Sequence, residues 1–245
     1  RAVGVEFVQG RSKKTVYADK EVILCGGAFN SPHLLQISGI GDPEHLNRIG
    51  VKVEHELPGV GRNLQDHLAS SVKQGLSKPV SLLGQTKPYA AAMALLQYYT
   101  TGKGPVAGHG VEVMSFLNSR EGLEAPDIQV HFNNIMYKDH GREIINVEGC
   151  MPYYNISRPQ SRGTVMAKSS DPLQLPELDP NFLSEPEDLR VLREGLRMMR
   201  DILAQPAFDS IRGDEYAPGK GVVSDAELDE YIKNDCNSVY HPVGT

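Results

Sequence analysis

The first apolar positions alternate with small or polar ones: Ala2, Val3, Val5, Phe7 and Val8 are interleaved with Gly4 and Glu6. That period of two predicts a half-buried strand. A polar stretch over residues 9–14 turns the chain into a second predicted strand near 15–18. Val22-Ile23-Leu24-Cys25 is an unbroken apolar run, the pattern of a strand buried on both faces, and Gly26-Gly27 ends it. Ser31 as an N-cap, with Pro32 at the first helical position, predicts a helix running to Gly39, where glycine takes the left-handed conformation. Asp42-Pro43 repeats the start signal for a short helix closed by Gly50. Together these elements read as one corner of an α/β domain.

The pattern changes near Gln74. Residues 88–101 are rich in Ala and Leu and predict a helix that ends before Gly102-Lys103-Gly104-Pro105. Segments 111–117, 127–133, 150–157 and 163–169 read as strands separated by turn residues, which points to an α+β sheet domain. Ser184-Glu185-Pro186-Glu187 has capping-box spacing. Behind it Leu189, Leu192, Leu196, Met199 and Leu203 recur every three or four residues, an amphipathic helix stopped by Pro206. Ser224-Asp225-Ala226-Glu227 is a second capping box, opening a helix through Ile232. The expected fold class is therefore α/β followed by α+β.

Composition narrows the function classes. With 40% hydrophobic and 23% charged residues over a length of 245, the chain has globular composition and room for one large domain or two ordinary ones. No stretch approaches the roughly 20 apolar residues of a membrane span; the best, over 90–96, is short and flanked by Lys87 and Lys103. The net charge of −6 is spread without a basic block, which argues against a dedicated nucleic-acid surface. Cys25, Cys150 and Cys236 are too few and too scattered for a disulfide framework or a CxxC metal site. They suit a reducing compartment. The chain opens at Arg1 with nothing like a signal peptide, so the sequence is expected to start and stop inside a longer protein.

The run Leu24 through Gly27 and on to Ser31 joins an apolar run, a glycine turn and a helix start. Such a turn lets backbone N–H groups approach a phosphate or a flavin, and it is equally the form of an ordinary strand-to-helix connection. No GxGxxG occurs, and Gly59-Val60-Gly61 half matches it after a proline. Eight histidines are present, none with HExxH spacing, so no metal site is expected. His33, His45, His55, His131 and His140 read as surface or packing residues. His241 differs, because Tyr240-His241-Pro242-Val243-Gly244-Thr245 holds an imidazole in a stiff Pro/Gly loop. A fixed imidazole titrating near neutrality suits a general base for a hydroxyl proton; on local sequence alone a structural histidine fits as well. GxSxG, a P-loop and a spaced acid pair are all absent.

Longer motifs carry more information. Gly27-Ala28-Phe29-Asn30-Ser31-Pro32-His33-Leu34-Leu35-Gln36-Ile37-Ser38-Gly39-Ile40-Gly41 resembles the second signature of the glucose–methanol–choline (GMC) flavoprotein oxidoreductases. Leu57-Pro58-Gly59-Val60-Gly61-Arg62-Asn63-Leu64-Gln65-Asp66-His67 is similar to that family's flavin-domain loop. Ser161-Arg162-Gly163, then Asp171-Pro172 and Leu178-Asp179-Pro180, resemble the start of its C-terminal region, and His241 through Thr245 resemble its active-site histidine motif. Four motifs in the family's order span almost the whole chain.

The resemblance implies part of an FAD-binding Rossmann-like domain followed by a mixed-sheet substrate domain. It divides the chain into the end of the flavin-binding region (1–73), a substrate-binding region (74–156) and the start of the C-terminal region (157–245). It implies FAD as cofactor and oxidation of an alcohol to an aldehyde by hydride transfer to the flavin, with His241 as the base. Gly27, Ala28, Asn30, Ser31, Asn63, Asp66 and His67 would lie against the flavin. Glu112 and Tyr240 resemble choline-type members, where a carboxylate and an aromatic face would hold a quaternary ammonium; Glu112 is equally a polar position common to the family, and the chain has no Trp to build an aromatic cage. The expected partners are a small alcohol and an electron acceptor, quinone or oxygen, with neither nucleic acid nor a transmembrane segment. The expected location is cytoplasmic, free or peripheral on the inner membrane. The family's GxGxxG should precede Arg1 and its second active-site residue, His or Asn, should follow Thr245, so the piece alone should bind FAD poorly and be inactive. Two other readings keep the fold: a hydroxynitrile lyase-like enzyme that binds FAD without redox turnover, and a non-catalytic ligand-binding module.

Overall fold

In the computed structural model the described residues are 2–108 and 110–245, and the side chain of Glu112 falls outside the description. The chain forms two compact units built of interleaved segments. One takes residues 1–64, 163–179 and 243–245, the other 65–162 and 180–242.

The first unit opens with a hairpin in which Gly4–Gln9 pairs antiparallel with Ser12–Tyr17, turning at Gly10 in the left-handed region. The run Val22 to Cys25 is not a strand. It is irregular, no described strand pairs with it, and Ile23 is 72% exposed. An apolar run becomes a doubly buried strand only where neighbours supply ladders and cover, and here they do not. Helix α1 (Gly27–Ile37) starts four residues before the capping pattern suggests, with Gly26 as N-cap. Ser31 Oγ instead accepts from the Gly26 N–H at 3.0 Å, and Pro32 lies inside the helix. A proline has no N–H for the carbonyl four residues back, which leaves Ala28 C=O without its helical donor. The Thr245 hydroxyl supplies one, at 2.5 Å.

Buried Gln36 fixes α1 to the strand Gly163–Met166: its Nε2 donates to Val165 O and its Oε1 accepts from Ala167 N, both at 2.8 Å. That strand is the centre of a three-stranded sheet with Arg62–Leu64 and Glu177–Asp179. Gly61 is required beside it, because φ is +79° and a Cβ would sit 2.2 Å from Val165 O. Helix α2 (Pro43–Arg48) starts as expected, with Asp42 accepting from Glu44 N.

The second unit is a seven-stranded antiparallel sheet. Its path runs Arg212–Ala217, Lys73–Leu76, Gly149–Ile156, Leu68–Ser71 and Asn237–Ser238, with Ile128–Asn133 beside Gly149–Ile156 and Val111–Leu117 outside that. Period-two alternation sorts the faces. Ile128, Val130, Cys150, Tyr154 and Ile156 pack into a core against Leu192, Leu196, Met199 and Leu203. Those four lie on helix α4 (Pro186–Leu203). His131, Asn133 and Tyr153 occupy the alternate positions.

Helix α3 (Pro88–Thr101) matches its prediction and ends at left-handed Gly102. The capping box expected at Ser184 is not formed, since α4 has Glu185 as N-cap without a side-chain bond. The Glu187 carboxylate is held by Arg190 and Arg120 instead. Asp188 is buried and accepts from Gln160 N and Ser161 N. The second box is formed as expected, with Ser224 and Glu227 bonded reciprocally at the start of helix α5 (Asp225–Asp235). Among the described residues no helix is long and apolar enough to cross a membrane.

Candidate active site

The site in the second unit is built outward from the end of α5. Its last residue, Asp235, accepts from Ser70 Oγ (3.0 Å), Ser71 N (3.0 Å) and Ser71 Oγ (2.9 Å), and pairs with Lys73 Nζ at 2.5 Å. Lys73 is buried, so both charges are taken from water and the surrounding hydroxyls complete their bonding. This network fixes where the chain leaves the helix. The chain then adds Asn237–Ser238 to the edge of Leu68–Ser71, and Val239 N donates to His67 O at 3.1 Å.

The following turn is organised by one carboxylate. Asp66 Oδ1 accepts from His241 N at 2.8 Å and Oδ2 accepts from the Ser238 hydroxyl. The same hydroxyl oxygen accepts from Tyr240 N at 2.9 Å. Tyr240 is left-handed at φ +63°, an uncommon state for a bulky residue that its surroundings must impose. The His241 ring meets His67 edge-on, centroids 5.3 Å apart at 78°, with the two Nδ1 atoms 3.3 Å apart. That contact leaves His241 Nε2 as the nitrogen available to a ligand. The Tyr240 hydroxyl bonds His140 Nδ1 at 2.7 Å.

A cleft of about 250 Å³ opens here, walled by His131, Asn133 and Tyr153 from the sheet, and by Tyr137, His140, Tyr240 and His241 around it. Burial, then the charge on His241, lowers the pKa of His67 and of His131 below the ordinary histidine value. Burial raises Tyr137 and Tyr153. The cleft therefore sets the exposed His241 imidazole near His67, His131, Tyr137 and Tyr153, whose burial disfavours their charged forms, an arrangement suited to taking a proton from a neutral ligand.

The sequence-predicted residues divide between the units. Asp66, His67, Tyr240 and His241 come together in the second. In the first, Gly27, Ala28, Asn30 and Ser31 form the N-terminus of α1, which carries no acidic residue in its first turn and no side-chain cap. A Cβ on Gly27, at φ +72°, would meet nothing within 4 Å. Asn63 Nδ2 donates to Gly244 O at 3.0 Å, beside the Thr245–Ala28 bond. Glu112 falls where the pairing with Ile128–Asn133 shifts, between Val111 and Val113; its side chain lies outside the described residues.

The wall residues His131, Asn133, Tyr137, His140 and Tyr153 were not among the predicted site residues. The available signal was alternation. With Ile128, Val130 and Phe132 assigned to the core, His131 and Asn133 must face the other way.

Residues 1–69 and 159–245 match the N-terminal and C-terminal models of the GMC oxidoreductase family. An oxygen-dependent choline dehydrogenase of Chromohalobacter salexigens is 39% identical over 245 residues, all of this chain and 44% of that protein. One from Rhizobium etli is 40% identical over 245 residues, all of this chain and 45% of that protein. The chain thus spans less than half the length of these curated relatives. Among solved structures, Aspergillus oryzae formate oxidase matches with a TM-score of 0.89 at 24% identity, over 99% of this chain and 47% of that one. Pyridoxine 4-oxidase from Mesorbium loti matches with a TM-score of 0.81 at 26% identity, over 100% of this chain and 44% of that one.

Proposed function

Because the chain belongs to the GMC oxidoreductase family, we propose that the full-length protein is an FAD-dependent oxidoreductase that converts a primary alcohol, choline among the candidates, to its aldehyde. The observation that carries this reading is His241: its backbone is held by Asp66 and its ring is oriented by His67, with Nε2 left for a hydroxyl in the cleft.

The residues assigned to FAD fit an oxygen-rich ligand. The uncapped start of α1 offers backbone N–H groups, which favour phosphate or carbonyl oxygens, and Gly27 leaves the approach open. Gly27, Ala28, Asn30, Ser31 and Asn63 would hold it, with Asp66 and His67 as further candidates. Bound FAD would supply the hydride acceptor for the carbinol carbon.

This chain's own residues do the rest. His241 Nε2 takes the hydroxyl proton, so that the electrons of the forming alkoxide assist loss of hydride from carbon. Asp66 holds the backbone N–H of the base, and His67 limits rotation of its ring. Tyr240, Tyr137 and Tyr153 line the cleft and offer aromatic faces to the substrate; such a face would also receive the ammonium of choline. Support for choline comes from the named activity of the relatives at 39% and 40% identity. Their description as oxygen-dependent favours oxygen over quinone as the electron acceptor.

The test is anaerobic flavin absorbance of the full-length protein mixed with choline and with a panel of simple alcohols. Bleaching by at least one alcohol is expected, slowed by about 10²–10⁴-fold in His241→Ala, the range for loss of a general base. A bound flavin that no alcohol reduces overturns the reading.

A further inference from the structure

Asn133 closes the strand Ile128–Asn133 two residues beyond His131, and so shares its face of the sheet. It is only 5% exposed, yet it walls the cleft that holds His241. Its Nδ2 has no hydrogen-bond partner among the described residues. A buried amide left unpaired is costly, and nearly all such groups in folded proteins find a partner. The neighbours across the ladder offer none, because Asn133 stands between Val111 and Met151, whose side chains accept no hydrogen bond of ordinary strength. Turning the amide end for end about Cβ–Cγ, a soft two-fold torsion, exchanges the positions of its oxygen and its N–H₂ without moving the backbone.

We propose that Asn133 determines substrate choice by donating Nδ2–H to a second oxygen of the alcohol, one not carried by the reacting carbon. The other groups narrow that oxygen's chemistry. The described lining of the cleft contains no Lys or Arg, and burial keeps His131 toward its neutral form. A carboxylate would find neither Lys nor Arg among the described lining residues, whereas a hydroxyl or ether oxygen would find a donor. The favoured substrates are therefore diols and hydroxy ethers. A trimethylammonium group accepts no hydrogen bond and leaves Asn133 unpaired. This assignment rests on the alcohol-oxidising reading and sharpens its substrate class.

The experiment compares 1,3-propanediol with 1-butanol, equal in heavy atoms and differing by a terminal hydroxyl for a methyl. Dissociation constants are measured by anaerobic calorimetry on the full-length protein with its flavin reduced beforehand, so that no hydride acceptor remains, in wild type and Asn133→Leu. The diol-to-butanol affinity ratio is expected to fall by about tenfold in the variant, one hydrogen bond's worth, with butanol binding as tightly as before or tighter. The variant should also melt at or above the wild-type temperature, since an unpaired amide has been replaced by an apolar isostere. A ratio unchanged by the substitution overturns the proposal. Should Asn133→Leu fail to fold, Asn133→Ala, which also lacks a donor, is measured against the same criterion. Binding is read without turnover, so a flavin that no alcohol reduces would refute the oxidoreductase reading while the affinity ratio still decided the role of Asn133.

Discussion

Replacing Asp66 with Ala removes both bonds that shape the turn carrying His241: Oδ1 to His241 N at 2.8 Å and Oδ2 to the Ser238 hydroxyl. Hydrogen bonds to a charged group contribute about 1.5–3 kcal/mol each in favourable sites; Asp66 is half-buried, so water replaces part of both. The turn also holds Tyr240 at φ +63°, a conformation that costs on the order of 1–3 kcal/mol in a bulky residue and persists only while its surroundings impose it. With the carboxylate gone, that strain favours relaxation, and the backbone of His241 moves with it. Misplacement by about 1 Å costs a reaction roughly 10²-fold. Anaerobic stopped-flow reduction of the flavin should therefore slow by about that factor in Asp66→Ala. Asp66→Asn is the control. Its Oδ1 can accept from His241 N and its Nδ2 can donate to Ser238 Oγ, so the turn survives and the rate should stay within about tenfold of wild type. Wild-type reduction rates in Asp66→Ala would refute the positioning argument. Equal losses in both variants would show that charge, not geometry, is what Asp66 supplies.

Three further outcomes follow from the structure. Lys73→Met strands the part-buried Asp235 carboxylate and should cost about 1–3 kcal/mol in chemical denaturation, most of it recovered in Lys73→Met/Asp235→Leu, because removing both charges is milder than removing one. Thr245→Val withdraws the donor from the part-buried Ala28 carbonyl, at a cost of about 0.5–1.5 kcal/mol, or a melting temperature lower by a few degrees, while Thr245→Ser should behave as wild type. His67 and His131 both have folded-state pKa values below the 6.5 of the unfolded chain, so the unfolded state binds more protons as pH falls through that value. Their contribution to stability is complete above about pH 6.5 and declines as pH falls through it toward the folded-state values; a melting temperature that drops as steeply with acidification in His67→Asn/His131→Asn as in wild type would contradict it.

Much of the architecture was legible because local signals and burial agree. Residues 127–133 alternate cleanly, both they and 111–117 form strands within a residue of expectation, and the Ser224–Glu227 box caps α5 as read. The failures have a common physical origin. Val22 to Cys25 has a buried strand's composition without the neighbours that would bury it. Ser184 and Glu187 have a capping box's spacing, but Arg190 and Arg120 compete for the Glu187 carboxylate. Ser31-Pro32 looks like a helix start because proline is usually excluded from a helix interior. Here a hydroxyl more than two hundred positions away meets the carbonyl that the proline strands. For the proline the deciding partner is distant in sequence, for Glu187 one competitor is near (Arg190) and one distant (Arg120), and the capping spacing alone encodes none of them.

The same distinction separates the roles of the predicted site residues. Asn63 and Asp66 engage backbone groups of the final segment, at Gly244 O and His241 N, and Thr245 engages the backbone of α1. A residue that holds backbone can be exchanged for any side chain offering the same donor or acceptor, which is why Asp66→Asn and Thr245→Ser should be tolerated. His241 differs in kind. Its backbone N–H is what Asp66 holds, and its ring, oriented at Nδ1 by His67, carries the nitrogen proposed as the base. Asparagine or glutamine there would keep the backbone bond and much of the shape, yet an amide cannot take up a hydroxyl proton near neutral pH. Conservative rescue should therefore succeed at every holding position and fail at His241, and it is that asymmetry, more than the size of any single loss, that distinguishes a base from its supports.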